Sequence, residues 1–376
     1  MGKHSEEKTK SKSKVLKVFL RILLVLLIIF VILAGIAAGF VANKLGKINV
    51  ENIDETAIGI SEETKEELSG YRNIALFGVD SRADDYGLGN RSDCIMIASM
   101  NQKTNDIKII SVYRDTYVQV EEKGKEKLDK ITHAYAYGGP QGALKALNTN
   151  LDLNISEYVT ANFDAVIAAV DAVGGVTIDV DSSEIKYINK YINDLIADTN
   201  GREGTAAAEI TKAGKQTLTG AQALAYSRVR YTEGGDYKRT ERMRTVIEAM
   251  LSKVKTLNIG QLNKFVDTIL PKISTNISST EILGLAPSIA SYNITDSLGW
   301  PYETKGITLD RWYGVPITLQ SNVEQLHKEV FDQKDYVAND TIKDISNQII
   351  KKTNYKYQKR QEHISCLYVC SNKKHI

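Results

Sequence analysis

The sequence predicts a layered α/β or α+β fold, because short apolar strands alternate with amphipathic helices. Three apolar runs, Asn73–Val79, Cys94–Met100 and Ile107–Val112, have the length and composition of buried strands. Turn residues separate the last two runs, so we expect these strands to be neighbours in one sheet. Farther along, apolar residues recur with helical spacing over Phe163–Val173, and a strand at Val176–Val180 follows a Gly-Gly pair.

Turn and capping residues mark further helices. The Gly-Gly-Pro run at 138–140 precedes a helical stretch at Gln141–Leu147, and Thr219 is the expected N-cap of the helix that follows it. A helix of about four turns is predicted over Lys238–Val254. After this helix the sequence is interpreted as helix-rich up to about Phe331, and no linker marks a second domain. Residues 71–335 are therefore expected to form one domain.

An uncharged apolar stretch, residues 22–42, predicts a transmembrane helix. About 21 residues at a rise of 1.5 Å each span the roughly 30 Å hydrocarbon core. Basic residues precede the stretch, so residues 1–21 are expected to be cytoplasmic and the rest extracellular. The small residues near its end leave cleavage as a signal peptide open. The acid-rich residues 43–70 are expected to be a spacer outside the core, and residues 336–376 a peripheral tail.

Composition and residue spacing exclude several function classes. The chain of 376 residues has a formal net charge of +2 and a confined basic group, which argues against a nucleic-acid partner. The five histidines lack metal-ligand spacing, and no GxSxG, HExxH or P-loop pattern occurs. Three cysteines cannot form a disulfide framework. Cys94 lies in an apolar run and is expected to be a buried small residue.

Two aspartates lie at strand ends that one sheet edge brings together. Asp80 directly follows the first predicted strand and Asp93 directly precedes the second, with Arg82 and Arg91 in the connecting loop. Two carboxylates placed in this way can share a divalent cation such as Mg²⁺, bound jointly to phosphate. A polar turn with surface ion pairs is the alternative interpretation.

Arginines are concentrated at two further places. Arg114 follows the third predicted strand and is expected near the aspartates, although an ordinary strand-end ion pair is the alternative. Arg228 and Arg230 point the same way if their segment is extended, and Arg239 and Arg242 share one face of the next helix. Guanidinium groups match phosphate oxygens in pairs. The group therefore predicts a phosphate site, against the alternative of a solvated basic face.

Taken together, these motifs resemble the LytR-CpsA-Psr family. The resemblance rests on seven segments: NIALFGVDSR (73–82), RSDCIMIASM (91–100), KIISVYRDTYV (108–118), KLDKITHAYAYGGP (127–140), DAVGGVTIDV (171–180), LTGAQALAYSRVRYTEGGDYKRTERMR (218–244) and SNVEQLH (321–327). They occur in order over residues 71–331, behind the predicted N-terminal anchor. Their order and number make the resemblance specific.

The resemblance implies an α/β/α layered domain with a central mixed sheet and a long apolar groove for a polyprenyl chain. It also implies a membrane-anchored, extracellular phosphotransferase that depends on Mg²⁺, with Mn²⁺ as an alternative. Such enzymes move an anionic glycopolymer, of teichoic acid or capsule type, from an undecaprenyl-pyrophosphate carrier to peptidoglycan. Because ATP is absent outside the cell, the pyrophosphate linkage suits an exported enzyme by supplying the leaving group.

The family pattern further implies roles for the residues singled out above. Asp80 and Asp93 are expected to hold the metal and, with Arg114, to be catalytic. Met243 stands where the family usually has Gln, which puts a substrate contact at that position in doubt. The remaining candidates are expected to bind substrate: Arg91, Arg228, Arg230, Arg239 and Arg242, with Arg82 and Lys130 as secondary members.

Two rival functions share part of this residue set. A pyrophosphatase acting on polyprenyl diphosphate would use the same residues, with water as the acceptor. A non-catalytic anchor for wall polymers, or a regulator, would need the arginines but neither Asp80 nor Asp93. The presence of both carboxylates together with Arg114 favours catalysis.

Overall fold

The structure is a computed structural model that describes residues 49–50, 52–81, 86–198, 206–278, 281–282, 284 and 291–355. The predicted transmembrane segment 22–42, Arg82, Cys366 and Cys370 lie outside the described residues. Among the helices of the described ranges, none combines the length and the apolar character needed to cross a membrane.

A seven-stranded mixed sheet is the largest sheet in the described part of the chain, with the order β1-β10-β7-β2-β3-β4-β11. The strands are β1 (Asn49–Val50), β2 (Tyr71–Val79), β3 (Ser92–Asn101), β4 (Asp106–Val112), β5 (Tyr117–Glu122), β6 (Lys125–Lys130), β7 (Glu157–Ala161), β8 (Val176–Val180), β9 (Gly214–Leu218), β10 (Ile273–Thr275), β11 (Asn293–Trp300), β12 (Thr304–Thr308) and β13 (Trp312–Pro316). β2, β3 and β4 pair antiparallel, whereas β2 with β7 and β4 with β11 are parallel.

Helices cover both faces of this sheet. They are α1 (Glu62–Glu67), α2 (Ile131–Leu151), α3 (Phe163–Ala172), α4 (Ile185–Asp198), α5 (Gly220–Arg228), α6 (Gly235–Val254), α7 (Ile259–Ile269), α8 (Leu319–Val330) and α9 (Asp340–Thr353). Buried residues of α2, α8 and α9 join those of the sheet in one hydrophobic core, and α3 and α7 pack over the other face. The predicted layered α/β/α class with a mixed central sheet is confirmed.

The alternation of side chains along β2 shows how the sheet separates two apolar regions. Ala75 and Phe77 point into the main core beneath α2, whereas Ile74 and Leu76 point to the opposite face, near Met100. A strand with apolar residues on both faces must be covered on both sides, which explains the continuous apolar run in its sequence.

The predicted element boundaries hold closely for β2, β3, β4, α3, β8 and α5, and Thr219 caps α5 in a capping box. The exceptions are α6, which begins at Gly235 rather than at Lys238, and α2, which begins at Ile131 rather than at Gln141. Gly139, with φ 61° and ψ −153°, interrupts the helix just before Pro140. A proline is favourable in the first turn after such a break, so the Gly-Gly-Pro run marks a kink, not a helix start.

The prediction that residues 43–70 form a spacer outside the core is wrong for the described part of that segment. Ile58 and Leu68 are fully buried in the main core, and β1 pairs with β10. The carbonyl of Ile58 also accepts a hydrogen bond from Asn148 Nδ2 at 2.9 Å. Isolated apolar residues within an acidic segment give little periodic signal, although each contributes a full side chain to the core.

The prediction of a peripheral tail is wrong for residues 336–355. The helix α9 begins after the N-cap Asn339 and buries Ile342, Ile345 and Ile349 in the main core. These isoleucines recur at helical spacing, whereas lysines and polar residues cover the other face. The prediction failed because the high lysine content of the segment was taken as a sign of a peripheral tail, although the segment is an ordinary amphipathic helix. Residues 356–376 lie outside the described ranges.

The segment between α7 and α8 was predicted to be helix-rich, but it holds four strands. β10 and β11 join the central sheet, and β12 and β13 form a separate antiparallel hairpin. β11 is the edge strand, and most of its residues are partly or fully exposed. An edge strand with one solvated side needs few apolar residues, so its sequence lacks a strand pattern.

We expect Ile345→Ala to lower the free energy of unfolding by about 2–5 kcal/mol, because it removes a fully packed side chain from the core. Asn347→Ala, an exposed change on the same helix, is the matched control and should shift it by less than about 0.5 kcal/mol. Urea denaturation of the purified protein measures both. Equal stability of the two variants would show that α9 does not belong to the core.

Candidate active site

A β-bulge positions Asp93 at the end of the β2–β3 pair. Gly78 pairs with Cys94 and Val79 with Ser92, so Asp93 is the extra residue on β3. Asp80 leaves β2 directly after Val79, and it is exposed, whereas Asp93 is partly buried. The structure thus brings the two aspartates to the same end of the neighbouring strands β2 and β3, as the sequence predicts.

Arg114 lies at the centre of a cluster of carboxylates just beyond β4. Its Nη1 donates to Asp93 Oδ1 at 2.7 Å, its Nε donates to Asp236 Oδ2 at 3.2 Å, and Nε lies 3.6 Å from Asp115 Oδ2. Burial disfavours the charged guanidinium, but the three carboxylates outweigh this effect and raise the pKa of Arg114 above its ordinary value. The residue is a permanent cation at this edge of the sheet.

Asp236 is a site residue that the sequence analysis did not single out. It lies in the first turn of α6, after the glycines Gly234 (φ 87°) and Gly235 (φ 52°) that reverse the chain. Its Oδ2 contacts Arg114 and also accepts a hydrogen bond from Arg239 Nη2 at 3.4 Å. An acidic residue in a first helical turn is ordinary. Only the fold shows that this one joins two arginines.

Arg239 is a buried cation with unused hydrogen-bonding capacity. The residue is 6% exposed, and within the described part of the chain its Nε has no hydrogen-bond partner. Burial, followed by the nearby charge of Arg114, lowers its pKa. A buried donor left unpaired is costly, and two adjacent guanidinium groups repel each other. Both costs fall when an anion binds between them, so this geometry suits a phosphate group.

Arg242 was predicted to bind substrate, and each nitrogen of its guanidinium already donates a hydrogen bond within the protein. Its Nε donates to Glu184 Oε1 at 2.6 Å, Nη1 to the Val229 carbonyl at 2.9 Å, and Nη2 to Thr232 Oγ1 at 2.7 Å. The residue is 6% exposed. These contacts give Arg242 a structural role, since they secure the segment after α5 against α6. Its role in substrate binding stays a prediction.

Arg228 and Arg230 are held by aromatic rings instead of carboxylates. The guanidinium carbon of Arg228 lies 4.9 Å from the ring centroid of Phe163 and 5.0 Å from that of Tyr191, and Arg230 lies 5.2 Å from that of Tyr231. Neither arginine has an ion pair to a carboxylate among the described residues. Stacking on ring faces leaves the N–H edge of the Arg228 guanidinium available to phosphate, whereas Arg230 already donates from Nη2 to Tyr231 Oη at 3.1 Å and has its other N–H groups for a ligand.

The remaining predicted residues have different surroundings. Lys130 donates to Asp115 Oδ1 at 2.7 Å and so balances a carboxylate beside Arg114. Arg91 is exposed at the same end of β3 as Asp93, and Arg82 lies outside the described residues. Lys130 thus contacts the cluster through Asp115, and Arg91 lies beside Asp93 on the exposed surface.

An apolar cavity of about 280 Å³ lies between the sheet and the helices α3, α5, α6 and α7. Sheet residues such as Leu76, Val159 and Ile273 form one wall. Two charged side chains, Asp93 and Arg228, also line it. Because Asp93 is the ion-pair partner of Arg114, the cavity adjoins the charged cluster, which is formed by Arg114 with Asp93, Asp115 and Asp236.

Met243 and Cys94 both line this cavity. A methionine there presents a flexible apolar side chain to an apolar space, so the departure from the family Gln enlarges the apolar wall. Cys94 is half-buried and not fully enclosed, which refines the prediction of a buried small residue. Burial raises the pKa of its thiol to about 12.

The residues present fit Mg²⁺ only if a substrate completes the coordination. The described ranges contain no group of three or more His, Cys, Asp or Glu residues that could hold a metal. Mg²⁺ is commonly bound by one or two carboxylates together with substrate phosphates and waters. Asp80 and Asp93 supply such a pair at the sheet edge.

Comparison with known proteins identifies the family. The LytR_cpsA_psr family profile matches residues 41–332. The chain belongs to the LytR-CpsA-Psr family. The polyisoprenyl-teichoic acid–peptidoglycan teichoic acid transferase TagU of Enterococcus faecalis is 32% identical over 216 residues, which are 57% of this chain and 64% of that protein. The match therefore spans less than two thirds of that relative's length.

Two solved structures of this family are informative about ligands. One is described as TagT bound to LIIa-WTA; it is 26% identical with a TM-score of 0.54 and covers 71% of this chain and 91% of that one. The other is TagT with bound octaprenyl pyrophosphate lipid, 25% identical with a TM-score of 0.50, covering 70% of this chain and 92% of that one. Both have the fold described above.

Arg239 and Arg242 should respond differently to substitution, although they are one helical turn apart. Arg242→Ala leaves Glu184 buried without its cation and should lower the free energy of unfolding by about 3–5 kcal/mol. Arg239→Met removes an incompletely paired buried charge and should cost less than about 1 kcal/mol, or stabilise the protein. Thermal unfolding of the ligand-free protein compares the two. Equal destabilisation by both would contradict the assigned difference.

Cys94 should be alkylated far more slowly than an exposed thiol, because the thiolate is the reactive form. With its pKa near 12, the rate should rise about tenfold per pH unit from pH 8 to pH 11. Iodoacetamide labelling of a Cys366→Ser, Cys370→Ser variant isolates this thiol, with glutathione as the control. A rate that levels off near pH 9, as for the control, would disprove the shift.

Proposed function

We propose that this chain is a membrane-anchored, extracellular phosphotransferase that moves an anionic glycopolymer from a polyprenyl-pyrophosphate carrier to peptidoglycan. One observation carries the proposal: the ion pair between Asp93 and Arg114 joins an apolar cavity to a cluster of arginines and aspartates. A substrate with a long apolar chain attached to a diphosphate matches this combination. The name of the TagU relative and the octaprenyl pyrophosphate bound to TagT support the same substrate class.

The apolar cavity is suited to the polyprenyl chain. Its walls are formed almost entirely by aliphatic and aromatic side chains, and the half-buried Cys94 and Met243 add soft, polarisable surface. Each buried methylene contributes about 0.8 kcal/mol, so one isoprene unit contributes several kcal/mol. Binding of the lipid here holds its diphosphate beside Asp93 and Arg228.

The arginines are suited to the diphosphate. Arg239 has a buried donor without a partner, and Arg228 and Arg230 present N–H edges that no carboxylate occupies among the described residues. Arg114 is already oriented by Asp93 and Asp236. Preorganised cations of this kind stabilise the charge that develops as a phosphoryl group is transferred.

The reaction forms one bond and breaks another at the same phosphorus. The acceptor hydroxyl oxygen attacks the phosphorus that carries the glycopolymer, and the bond to the bridging oxygen breaks, releasing polyprenyl phosphate. The hydroxyl proton passes to a carboxylate, for which Asp80, Asp93 and Asp236 are the groups at the site. Mg²⁺, held by Asp80 and Asp93 with the diphosphate, would neutralise charge on the leaving group. Arg114 and Arg239 orient the phosphoryl group.

Residues 22–42 provide the proposed membrane anchor, with residues 1–21 in the cytoplasm and the described domain outside. The substrate lipid lies in the same membrane, so the anchor restricts the enzyme to the surface where its donor is found. The peptidoglycan acceptor lies on the same side. This arrangement accounts for an exported domain that has no need of ATP.

The proposal predicts that Asp80→Asn and Arg114→Ala each reduce transfer at least about 100-fold, because each removes charge stabilisation from the transition state. Transfer is measured as radiolabel moved from a polyprenyl-pyrophosphoryl saccharide to a peptidoglycan oligomer. Asp179→Asn, an exposed aspartate on β8, is the matched control and should retain full activity. Chelation of Mg²⁺ should abolish transfer, and its re-addition should restore it.

The same assay separates the rival functions. Metal-dependent appearance of label on the glycan supports the transferase. Release of free saccharide phosphate with the acceptor present would instead identify a pyrophosphatase. Tight binding of the lipid without turnover, with or without Mg²⁺, would identify a non-catalytic anchor.

A further inference from the structure

A shallow cleft with aromatic walls lies beside the charged cluster. Arg114 and Asp236 line this cleft, whereas Asp93 lines the apolar cavity. The Asp93–Arg114 ion pair, at 2.7 Å, therefore stands between the two. The cleft volume is about 30 Å³, so a ligand would lie across its surface instead of being enclosed. Neither the lipid nor the diphosphate of the proposed donor accounts for it.

Trp312 forms one wall of the cleft as an exposed aromatic platform. It is the first residue of β13 and is 43% exposed. The paired glycines Gly306 and Gly314 leave space for the indole to lie over the hairpin: an added Cβ would meet it at 2.9 Å and 3.6 Å respectively. With one face of the ring against the backbone, the other is available to a ligand.

Backbone contacts connect the hairpin that carries Trp312 to the charged cluster. The Gly314 N–H donates to the Asp115 carbonyl at 2.9 Å, and Gly314 also bridges to Thr116. Asp115 is the neighbour of Arg114, so the hairpin that carries Trp312 cannot shift without disturbing Arg114. The distance from platform to cluster is thereby set by the fold.

Tyr237 is a second exposed ring in the cleft. It is 38% exposed, and its ring packs edge-to-face on Tyr113, with centroids 4.6 Å apart at 89°. It directly follows Asp236 on α6. The contact with Tyr113 restricts the ring, so two oriented aromatic surfaces flank the cleft.

The charges around the cleft are balanced. Arg114 is paired with Asp93 and Asp236, Arg239 is paired with Asp236, and Lys130 is paired with Asp115 at 2.7 Å, so three cations stand against three carboxylates. Arg228, which has no carboxylate partner in the described ranges, lines the apolar cavity instead. Threonine hydroxyls complete the lining. A cleft with balanced charge, hydroxyl groups and two exposed rings is suited to a neutral ligand that has an apolar face and many hydroxyls.

We propose that this cleft binds a sugar ring of the glycan acceptor, of the N-acetylhexosamine class, by stacking on Trp312 and Tyr237. This inference rests on the proposed function, since the acceptor hydroxyl would then lie next to Arg114 and Asp236. The donor occupies the cavity and the arginines, and the acceptor occupies the cleft. The two substrates thus approach the phosphorus from different sides of the Asp93–Arg114 pair.

A binding titration tests the cleft without any donor. The chain has two tryptophans, and Trp300 is fully buried, so Trp312 is the one that can report a ligand at the surface. A soluble β-linked N-acetylglucosamine oligomer, added to the full chain in detergent, should change the tryptophan emission saturably. Tyr237→Ala should weaken this binding about tenfold, whereas Leu309→Ala, an exposed control at the tip of the same hairpin, should not. Absence of any saturable change would overturn the inference.

Transfer kinetics provide an independent test. Trp312→Ala should raise the KM for the peptidoglycan oligomer about tenfold, with a much smaller effect on kcat at saturating acceptor. Trp312→Phe should largely restore the KM, because a ring face is retained. If the wild-type protein transfers label and both Trp312→Ala and Tyr237→Ala keep its KM, the cleft is not the acceptor site, although the transferase stands. If the wild-type protein transfers none, the proposed function fails, and the titration alone decides whether the cleft binds the sugar.

Discussion

The ion pair between Asp93 and Arg114 is the contact on which the site depends. A partly buried guanidinium such as that of Arg114 is costly unless it is paired and hydrogen-bonded, and its partners come from different parts of the fold. Asp93 lies at the bulge of β3, and Asp236 lies in the first turn of α6. The end of the sheet and the start of α6 are therefore held together by one cation. The apolar cavity lies on one side of this pair and the aromatic cleft on the other.

The arginines of this region divide into two groups by what surrounds them. Arg242 is satisfied by Glu184 and two oxygen acceptors and has a structural role. Arg239, one helical turn earlier, keeps a buried donor without a partner in the described part of the chain. Arg228 is held by ring faces and keeps its N–H edge available. Guanidinium groups that are oriented but not satisfied are suited to bind an anion, because the ligand then supplies the missing acceptors.

The division between donor and acceptor follows from the same principle. Apolar walls, exemplified by Met243, select a hydrocarbon chain and gain from excluding water. A balanced set of charges with exposed rings, such as that of Trp312, has little attraction for an anion but offers stacking to a sugar. Separate binding regions on the two sides of one ion pair would let a lipid-linked donor and a wall acceptor meet without competing.

The sequence by itself determined the α/β class, the boundaries of the elements β2, β3, β4, α3, β8 and α5, and the placement of Asp80 and Asp93 at the same end of β2 and β3. These features depend on local periodicity and on the order of the strands along the chain, and both can be recognised from consecutive residues. The tertiary structure alone decided which arginines are free, because that depends on partners distant in sequence, such as Glu184 for Arg242. It also placed Asp236 in the site and α9 in the core. Long-range contacts carry no local signal, so the place of Asp236 in the site could not be predicted from the chain alone. The isoleucine spacing of α9 does indicate an amphipathic helix, but only the fold shows that this face packs on the core.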